Sequence, residues 1–386
     1  MIRRFRDQWL ALHKWVALTI GVWIILNGLS GSILVFQREL EAAINPHLYR
    51  TDQAITGTIN LDAMEQAVKV AFPDYWIVMV DRDNLVANES FRFQIARNGE
   101  AASYFTNLEV FIDPATTEIL GSRPYFTFIK AVKMFHFELL GGRTTKVVMG
   151  FMGLAFLAMM LAGAVLWWPG RKKLLRSLRF KTTSQTPRLI RDIHTVFGVY
   201  FLVVLLMVCV TGLVVIFPQQ SATILGVFTD ATATARPAAP PALNQNTPPS
   251  LNELAQTVND AYPDSTLVLL LYPGPKRGWY TFRVEPAGAD PTTNTVQVYV
   301  DQYTGKIADV FDPGIMPPAR SFIGLWSVYS HNGKLYGMPG RVLVFSAGIG
   351  LCVMFGTGLY IWLRKRRLSV PSSSVVVMSQ TDHRVA

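Results

Sequence analysis

The stretch "LHKWVALTIGVWIILNGLSGSILVF" (12–36) recurs in pattern as "IHTVFGVYFLVVLLMVCVTGLVVIF" (193–217). Each stretch places a histidine near its start and a glycine 18 residues later, His13 with Gly31 and His194 with Gly212, at a constant offset of 181. Each is also longer than the roughly 20 predominantly apolar residues that a helix needs to cross the hydrocarbon core of a bilayer. The pattern therefore predicts a membrane protein built from two copies of one unit.

Long blocks without Asp, Glu, Lys or Arg occur four times in the chain. A helix satisfies its own backbone hydrogen bonds, as lipid requires, so each block is typical of a membrane span. The first block could be a signal peptide, but it is long for one and has no clear small-residue cleavage site. We expect transmembrane helices over 15–37, 145–170, 192–217 and 339–363.

The net charge of +10 is concentrated beside these blocks. Residues 1–14 begin with "MIRRFR", residues 171–191 carry eight Lys or Arg, and residues 364–386 begin with "RKRR". Because Lys and Arg favour cytoplasmic loops, we expect these three segments in the cytoplasm and 38–140 and 218–338 outside it. The charge is explained by topology, and nucleic acid is not expected as a partner.

The two outer segments also match each other. "LDAMEQAVKVAFPD" (61–74) corresponds to "LNELAQTVNDAYPD" (251–264), and "EVFIDPATTEI" (109–119) corresponds to "QVYVDQYTGKI" (297–307). The first pair predicts amphipathic helices and the second predicts two strands joined by a turn. The expected fold class is therefore a membrane α-helical protein with four transmembrane helices in two tandem repeats and two small α/β outer domains. An Ala- and Pro-rich stretch, 231–250, reads as a flexible linker.

Four of the six histidines occupy matched positions. His13 matches His194, and His136 matches His331 at the offset of 195 that also relates "GAVLWWPGR" to "GLYIWLRKR". The two sets lie at opposite ends of the predicted helices, about 30 Å apart, so His13 and His136 cannot share one metal ion. The repeat predicts two sites, His13 with His194 and His136 with His331.

Two facing histidines in apolar surroundings suit a haem, because the porphyrin supplies four ligands and the protein only two. We therefore expect two non-covalent haem b groups, since no Cys-x-x-Cys-His motif for covalent haem is present. A zinc site would need four ligands; Glu138 could assist His136, but Gly333 stands at the matching position. No catalytic residue is assigned. Candidate partners for the haem carboxylates are Arg6, Lys14, Arg188 and Arg191 inside, and Arg143, Lys146 and Arg341 outside.

These motifs, together with "RLIRDIHTVFGVYF" (188–201), resemble the PepSY-associated transmembrane proteins over nearly the whole chain. Within that family the sequence is most similar to the inner-membrane ferric-siderophore reductases of the ferrioxamine type. The resemblance implies PepSY-like outer domains in the periplasm, a place in the bacterial inner membrane, and the four matched histidines as haem ligands. It also implies ferric siderophore as the electron acceptor.

The electron donor has no motif in the sequence. No G-x-G-x-x-G nucleotide-binding pattern follows a strand, so a quinol or a separate cytoplasmic reductase must supply electrons. Three other functions stay open: a siderophore permease, a PepSY binding or regulatory module without redox activity, and a haem redox partner for another periplasmic acceptor. The permease is disfavoured because the four spans carry no midplane charge.

Overall fold

The computed structural model describes residues 2–52, 59–82, 88–179, 186–231, 248–273 and 278–369. In chain order the first half contains α1 (Ile2–Val35), α2 (Gln37–Ile44), α3 (Pro46–Tyr49), α4 (Leu61–Ala71), β1 (Tyr75–Asp81), β2 (Phe91–Arg97), β3 (Leu108–Ile112), β4 (Ile119–Pro124), α5 (Phe128–Glu138) and α6 (Gly142–Trp167). A 3₁₀ turn (Arg171–Lys173) and α7 (Leu174–Ser177) follow α6.

The second half contains α8 (Thr186–Ile216), α9 (Pro218–Gly226), α10 (Leu251–Ala261), β5 (Thr266–Leu271), β6 (Trp279–Glu285), α11 (Pro291–Asn294), β7 (Val296–Asp301), β8 (Ile307–Phe311), α12 (Pro318–Ser321), a π-helical segment (Phe322–Trp326), α13 (Ser327–His331), a 3₁₀ turn (Lys334–Tyr336) and α14 (Gly337–Ser369). The long-helix, strand, long-helix order thus occurs twice. Most of the predicted linker (231–250) and the C-terminal tail from residue 370 lie outside the described residues.

The helices α1, α6, α8 and α14 are long and apolar enough to cross a membrane. They form a closed bundle in which α1 and α8 lie diagonally and each packs on both α6 and α14. Large apolar side chains remain exposed around the bundle, for example Phe151 at 63% and Val203 at 74%. Such a surface is suited to lipid rather than water.

Two of the long helices begin earlier than predicted. α1 begins at Ile2 and α8 at Thr186, so residues 2–14 of the predicted N-terminal segment 1–14 are helical. His13 and His194 consequently lie inside helices and not at their starts. The apolar blocks mark only the part of a helix matched to hydrocarbon, whereas Arg, Gln and Leu are good helix formers that continue the same helix into water.

The far ends of α6 and α14 also differ from the prediction. α6 ends at Trp167 rather than 170, because Pro169 disfavours helical geometry in the residue before it and Gly170 has a positive φ of 80°. α14 continues to Ser369, beyond the predicted end at 363, through the run of Arg and Lys.

Strands of both halves form one antiparallel sheet in the order β4-β3-β2-β1-β5-β6-β7-β8. The halves join where β1 pairs with β5, with Val80 opposite Leu270. The segments 38–140 and 218–338 therefore share one sheet and are not the two independent domains that we expected. The physical reason is that β1 and β5 would otherwise be apolar edge strands with unpaired N–H and C=O groups.

One face of the sheet carries the main apolar core. α4 and α10 lie on it side by side and bury Met64, Val68, Leu254 and Val258 against both halves of the sheet. The start of each helix is held by the other half: Asn252 accepts from the α4 backbone, and Asp62 accepts from the α10 backbone. This exchange of caps ties the two halves together.

The opposite face of the sheet looks toward the bundle. α5 follows β4 and packs on α1 and α6, and α13 packs on α8. The predicted boundaries at 140 and 338 therefore assign these short helices to the outer domains, although they pack as part of the bundle. Their apolar faces are too short to span a membrane, so hydropathy alone could not place them there.

Candidate functional site

Two pairs of histidines face each other within the bundle. The ring centres of His13 on α1 and His194 on α8 are 6.3 Å apart, with the ring planes at 87°. The ring centres of His136 on α5 and His331 on α13 are 6.1 Å apart, with the planes at 59°. Two imidazoles on one metal ion need centres about 6 Å apart, from metal–nitrogen bonds of about 2 Å and about 1 Å from nitrogen to ring centre. The structure thus brings together both predicted pairs, while iron ligation itself stays a prediction.

We call His136–His331 the sheet-proximal pair and His13–His194 the sheet-distal pair. His136 contacts Asn27 and Gly31 of α1, which follow His13 by 14 and 18 residues. At 1.5 Å per helical residue, the two pairs are about 21–27 Å apart along the bundle. They are therefore two separate sites.

All four rings are oriented by the same kind of hydrogen bond, between the ring Nδ1 and a backbone carbonyl oxygen of a long helix. A carbonyl oxygen can only accept, so Nδ1 must carry the proton and each neutral ring keeps its free electron pair on Nε2. No hydrogen bond from a described residue reaches Nε2. This arrangement fixes the orientation of a histidine that binds metal through Nε2. The Nδ1 atoms lie 3.0 Å from Met159 O (His13), 3.1 Å from Asn27 O (His136), 3.0 Å from Met354 O (His194) and 2.8 Å from Val208 O (His331).

A glycine lies against each ring, four residues after the carbonyl that the ring contacts. On a helix, a side chain covers the turn before its own Cα, so any side chain at this position would cover that carbonyl. A Cβ built on these glycines would lie 2.9–3.1 Å from the Cε1 atom of the histidine, closer than ordinary packing allows. The glycines are Gly163 (His13), Gly31 (His136), Gly358 (His194) and Gly212 (His331).

A hydroxyl next to the glycine reinforces three of the four sites. Ser30 Oγ lies 3.0 Å from His136 Nδ1, Thr357 Oγ1 lies 3.0 Å from His194 Nδ1, and Thr211 Oγ1 lies 3.4 Å from His331 Nδ1. Each hydroxyl donates to its own helix, which leaves its oxygen free to accept from the ring. The fourth site has Ala162 at this position, so His13 has the carbonyl as its sole acceptor among the described residues.

An apolar layer separates the two pairs. Ile24, Met160, Leu205 and Leu351 meet there, one from each long helix. The indole N–H of Trp23 in this layer is 3.2 Å from the sulfur of Met149 and so does not need water. A layer of this kind excludes water and ions from the space between the sites.

The predicted cations on the two sides differ in their surroundings. Arg6, Arg188 and Arg191, near the sheet-distal pair, are exposed, and Lys14 lies 4.7 Å over the ring of Trp15. Near the sheet-proximal pair, Arg341 is largely buried and forms an ion pair of 2.5 Å with Glu39.

The other two predicted cations on that side are less informative. Lys146 is partly buried and forms no ion pair with a described residue. The side chain of Arg143 lies outside the described part of the chain.

The sequence analysis missed three further cations at the sheet-proximal end. Arg38 lies in the first turn of α2, Lys133 precedes His136 by one helical turn, and Lys334 follows His331 by three residues. All three are partly buried. Burial, with Lys130 and Arg38 nearby, lowers the pKa of the Lys133 ammonium to about 8.

A network of buried charges lies between these cations and the sheet. Arg92 on β2 binds both carboxylate oxygens of Asp81, at 2.8 and 2.5 Å, and also reaches Tyr49 OH at 3.0 Å. Burial would raise the pKa of the Asp81 carboxyl, but Arg92 outweighs it and holds that pKa below the ordinary value. Arg123 forms the equivalent pair with Glu109 at 2.7 Å.

The described residues of the second half do not repeat these two ion pairs. In the sheet register Asp81 faces Arg92 and Glu109 faces Arg123, whereas Leu271 faces Thr281 and Gln297 faces Phe311. At these register positions the first half therefore carries charged pairs and the second half carries uncharged residues.

The residues present fit a haem at each pair. Each pair offers two opposed imidazoles and no third ligand: among the described residues no group of three or more His, Cys, Asp or Glu could hold a metal ion. Two protein ligands suffice only for a metal that brings its other ligands with it, as haem iron does. His13 and His194 would hold one group, and His136 and His331 the other.

Four small-residue–glycine pairs in the sequence mark the positions against which the histidine rings pack. Each pair lies inside a long helix, where no turn requires the backbone freedom of glycine. The glycine therefore matters because the missing side chain leaves room for the histidine ring. They read Ser30-Gly31, Ala162-Gly163, Thr211-Gly212 and Thr357-Gly358.

A scan against protein-family models matches residues 10–365 to the PepSY-associated TM region. A search of curated proteins finds no match. The matched region includes all four paired histidines, all four glycines and the whole sheet. Because the match covers most of the chain, the protein belongs to the family of the PepSY-associated transmembrane region.

Proposed function

We propose that this protein is an electron carrier of the bacterial inner membrane that holds two non-covalent haem b groups and reduces ferric siderophore in the periplasm. The observation that carries the proposal is the set of four histidines, each with Nδ1 on a carbonyl, arranged as two facing pairs. A haem b at each pair would supply reversible one-electron chemistry.

The chain's own residues would provide the path and its direction. The basic segments beside α6 and α14 lie at the sheet-distal end, which supports a cytoplasmic position for that end and a periplasmic position for the sheet. Electrons from a quinol or a separate cytoplasmic reductase would enter near His13 and His194. The apolar layer around Trp23 would keep water and ions out of the path.

The acceptor step would take one electron per iron and convert Fe(III) to Fe(II). The softer and less charged Fe(II) binds weakly to a hard, oxygen-rich siderophore, so reduction would favour iron release. The periplasmic part of the chain would hold the acceptor, and no acid–base residue is needed.

The test is anaerobic reoxidation of the dithionite-reduced, detergent-purified protein by a ferric hydroxamate siderophore in the presence of a ferrous chelator. We expect one chelated Fe(II) for each electron lost. His136→Ala should abolish the reaction, while His47→Ala, an exposed histidine of α3, should not alter it.

Two results would contradict the proposal. A colourless protein would favour a PepSY binding or regulatory module. A coloured protein that no ferric siderophore reoxidises would favour a haem redox partner for another periplasmic acceptor.

A further inference from the structure

Positive charge is concentrated where the bundle meets the sheet. Four cations meet there: Arg38, Lys133, Lys334 and Arg341. Arg38 is close enough to repel both lysines, and Arg341 is close enough to repel Lys334. Lys133 lies on the same face of α5 as His136, because residues three apart on a helix are neighbours. The cations therefore adjoin the sheet-proximal pair on its sheet side.

The carboxylates nearby are mostly engaged by other groups. Glu39 pairs with Arg341 at 2.5 Å, and Asp81 pairs with Arg92. Among the described residues, neither Lys133 nor Lys334 has a carboxylate within ion-pair distance, although Asp81 lies in electrostatic reach of Lys133, and Glu39 and Glu285 of Lys334.

Unpaired cations in partly buried positions are costly, because burial removes their water without supplying a counter-charge. Arg38 adds to this cost, since its charge opposes those of both lysines. Such a cluster is typical of a site for an anion. The sheet-distal pair offers a contrast, because Arg6, Arg188 and Arg191 there are exposed and water balances their charge.

We propose that Lys133 and Lys334, with Arg38, form a carboxylate-binding site that receives the carboxylates of the group held by the sheet-proximal histidines. The inference rests on the proposed function, because it takes that group to be haem b. Charged hydrogen bonds from ammonium and guanidinium groups to carboxylates are among the strongest in proteins, and more so where water is scarce. A carboxylate-bearing iron complex would be the other source of the same chemistry.

The experiment compares protohaem with its dimethyl ester, which lacks free carboxylates. Full-length apoprotein with His13→Ala, which leaves only the sheet-proximal pair intact, is titrated with each compound and binding is followed by visible absorption. We expect protohaem to bind at least about tenfold more tightly than the ester, since each 1.4 kcal/mol of binding energy is tenfold in affinity. Adding Lys133→Met and Lys334→Met should remove most of that preference.

Matched variants keep the result interpretable. Lys69→Met removes an exposed lysine of α4 and should leave the preference unchanged. If the double Met variant does not fold, Lys133→Arg with Lys334→Arg should fold and retain the preference, because the charges remain.

Three results would overturn the inference. The parent protein could bind protohaem and its dimethyl ester equally well, or the double Met variant could keep the full preference for protohaem. The lysines could also be needed only for the reduction of ferric citrate, which is a carboxylate-bearing iron complex. Failure of both compounds to bind would instead contradict the proposed function, so the two failures are distinguishable.

Discussion

The sheet-distal and sheet-proximal histidine pairs share a geometry but differ in surroundings. Both have ring centres about 6 Å apart, Nδ1 on a carbonyl and a glycine against the ring. The sheet-distal pair lies on the long helices α1 and α8, among exposed arginines. The sheet-proximal pair lies on the short helices α5 and α13, beneath a sheet face that carries buried charges. The bundle therefore sets the ligand geometry, while the ends of the bundle set the electrostatics.

This difference gives the two sites different expected redox properties. Positive charge near an iron favours its reduced state, so the cations Arg38, Lys133 and Lys334 should raise the potential of the sheet-proximal site. The exposed arginines of the other end act through water and are screened. The expected gradient favours electron flow from the sheet-distal to the sheet-proximal pair.

The largest effect is expected when a glycine that lies against a histidine ring is replaced by a larger residue. Gly358→Val should displace His194 and reduce the haem content from two to one per chain, and Gly31→Val should do the same at His136. The matched control is Gly356→Val, because nothing lies within 4 Å of a Cβ at Gly356 on the same helix. Pyridine haemochrome assays measure the content. Full haem content in Gly358→Val would refute the role given to the glycine.

Breaking the buried network should affect only the sheet-proximal end. Arg92→Met leaves the buried Asp81 carboxylate without its main partner and should cost about 3–5 kcal/mol of folding free energy. Thr281→Val, at the matching register position of the second half, should cost within about 1 kcal/mol. Thermal unfolding in detergent measures both. Equal destabilisation by the two variants would show that the difference between the halves has no energetic weight.

The charge of Lys133 predicts a pH dependence for the apoprotein. Its pKa falls from an ordinary 10.5 to about 8, so the charged lysine destabilises the fold below about pH 8, and this cost disappears as pH rises toward 10.5. Lys133→Met should therefore stabilise the apoprotein at pH 7, by about 1–3 kcal/mol once partial exposure is allowed for. The gain should vanish near pH 10.5, as followed by melting temperature. A pH-independent gain would point to packing instead.

The hydroxyls should produce the smallest effect. Thr357 gives His194 a second acceptor, whereas Ala162 gives His13 none. A second acceptor makes the ring a stronger donor to iron, so Thr357→Ala should raise the potential of the sheet-distal site by tens of millivolts. Ala162→Ser should lower it. Potentiometric titration followed in the visible range measures both shifts, and shifts of the same sign would contradict this explanation.

Sequence patterns predicted the four long helices, the paired histidines and the helices α4 and α10. These features repeat at fixed offsets and depend on local periodicity, which a single sequence records. The joining of the halves through β1 and β5 was not predicted, because edge pairing depends on which strands meet in space. The starts of α1 and α8 were also missed, since apolar windows do not report where a helix ends in water.

The candidate site was predicted less completely than the fold. The histidines were identified by their matched positions, but Lys133 and Lys334 have no matched partners and are assigned only by their burial and their distance from acids. The glycines were visible in the sequence, yet their role depends on a ring from another helix lying against them. Contacts between elements far apart in the chain thus account for most of what sequence reasoning lacked.

The most direct test of the account is the reduced-minus-oxidised spectrum and haem count of the wild type, His13→Ala and His331→Ala. We expect two low-spin haem b groups per chain in the wild type and one in each variant, with different α-band spectra because different sites remain. A colourless wild type, or variants that keep both haems, would contradict the assignment of one haem to each histidine pair.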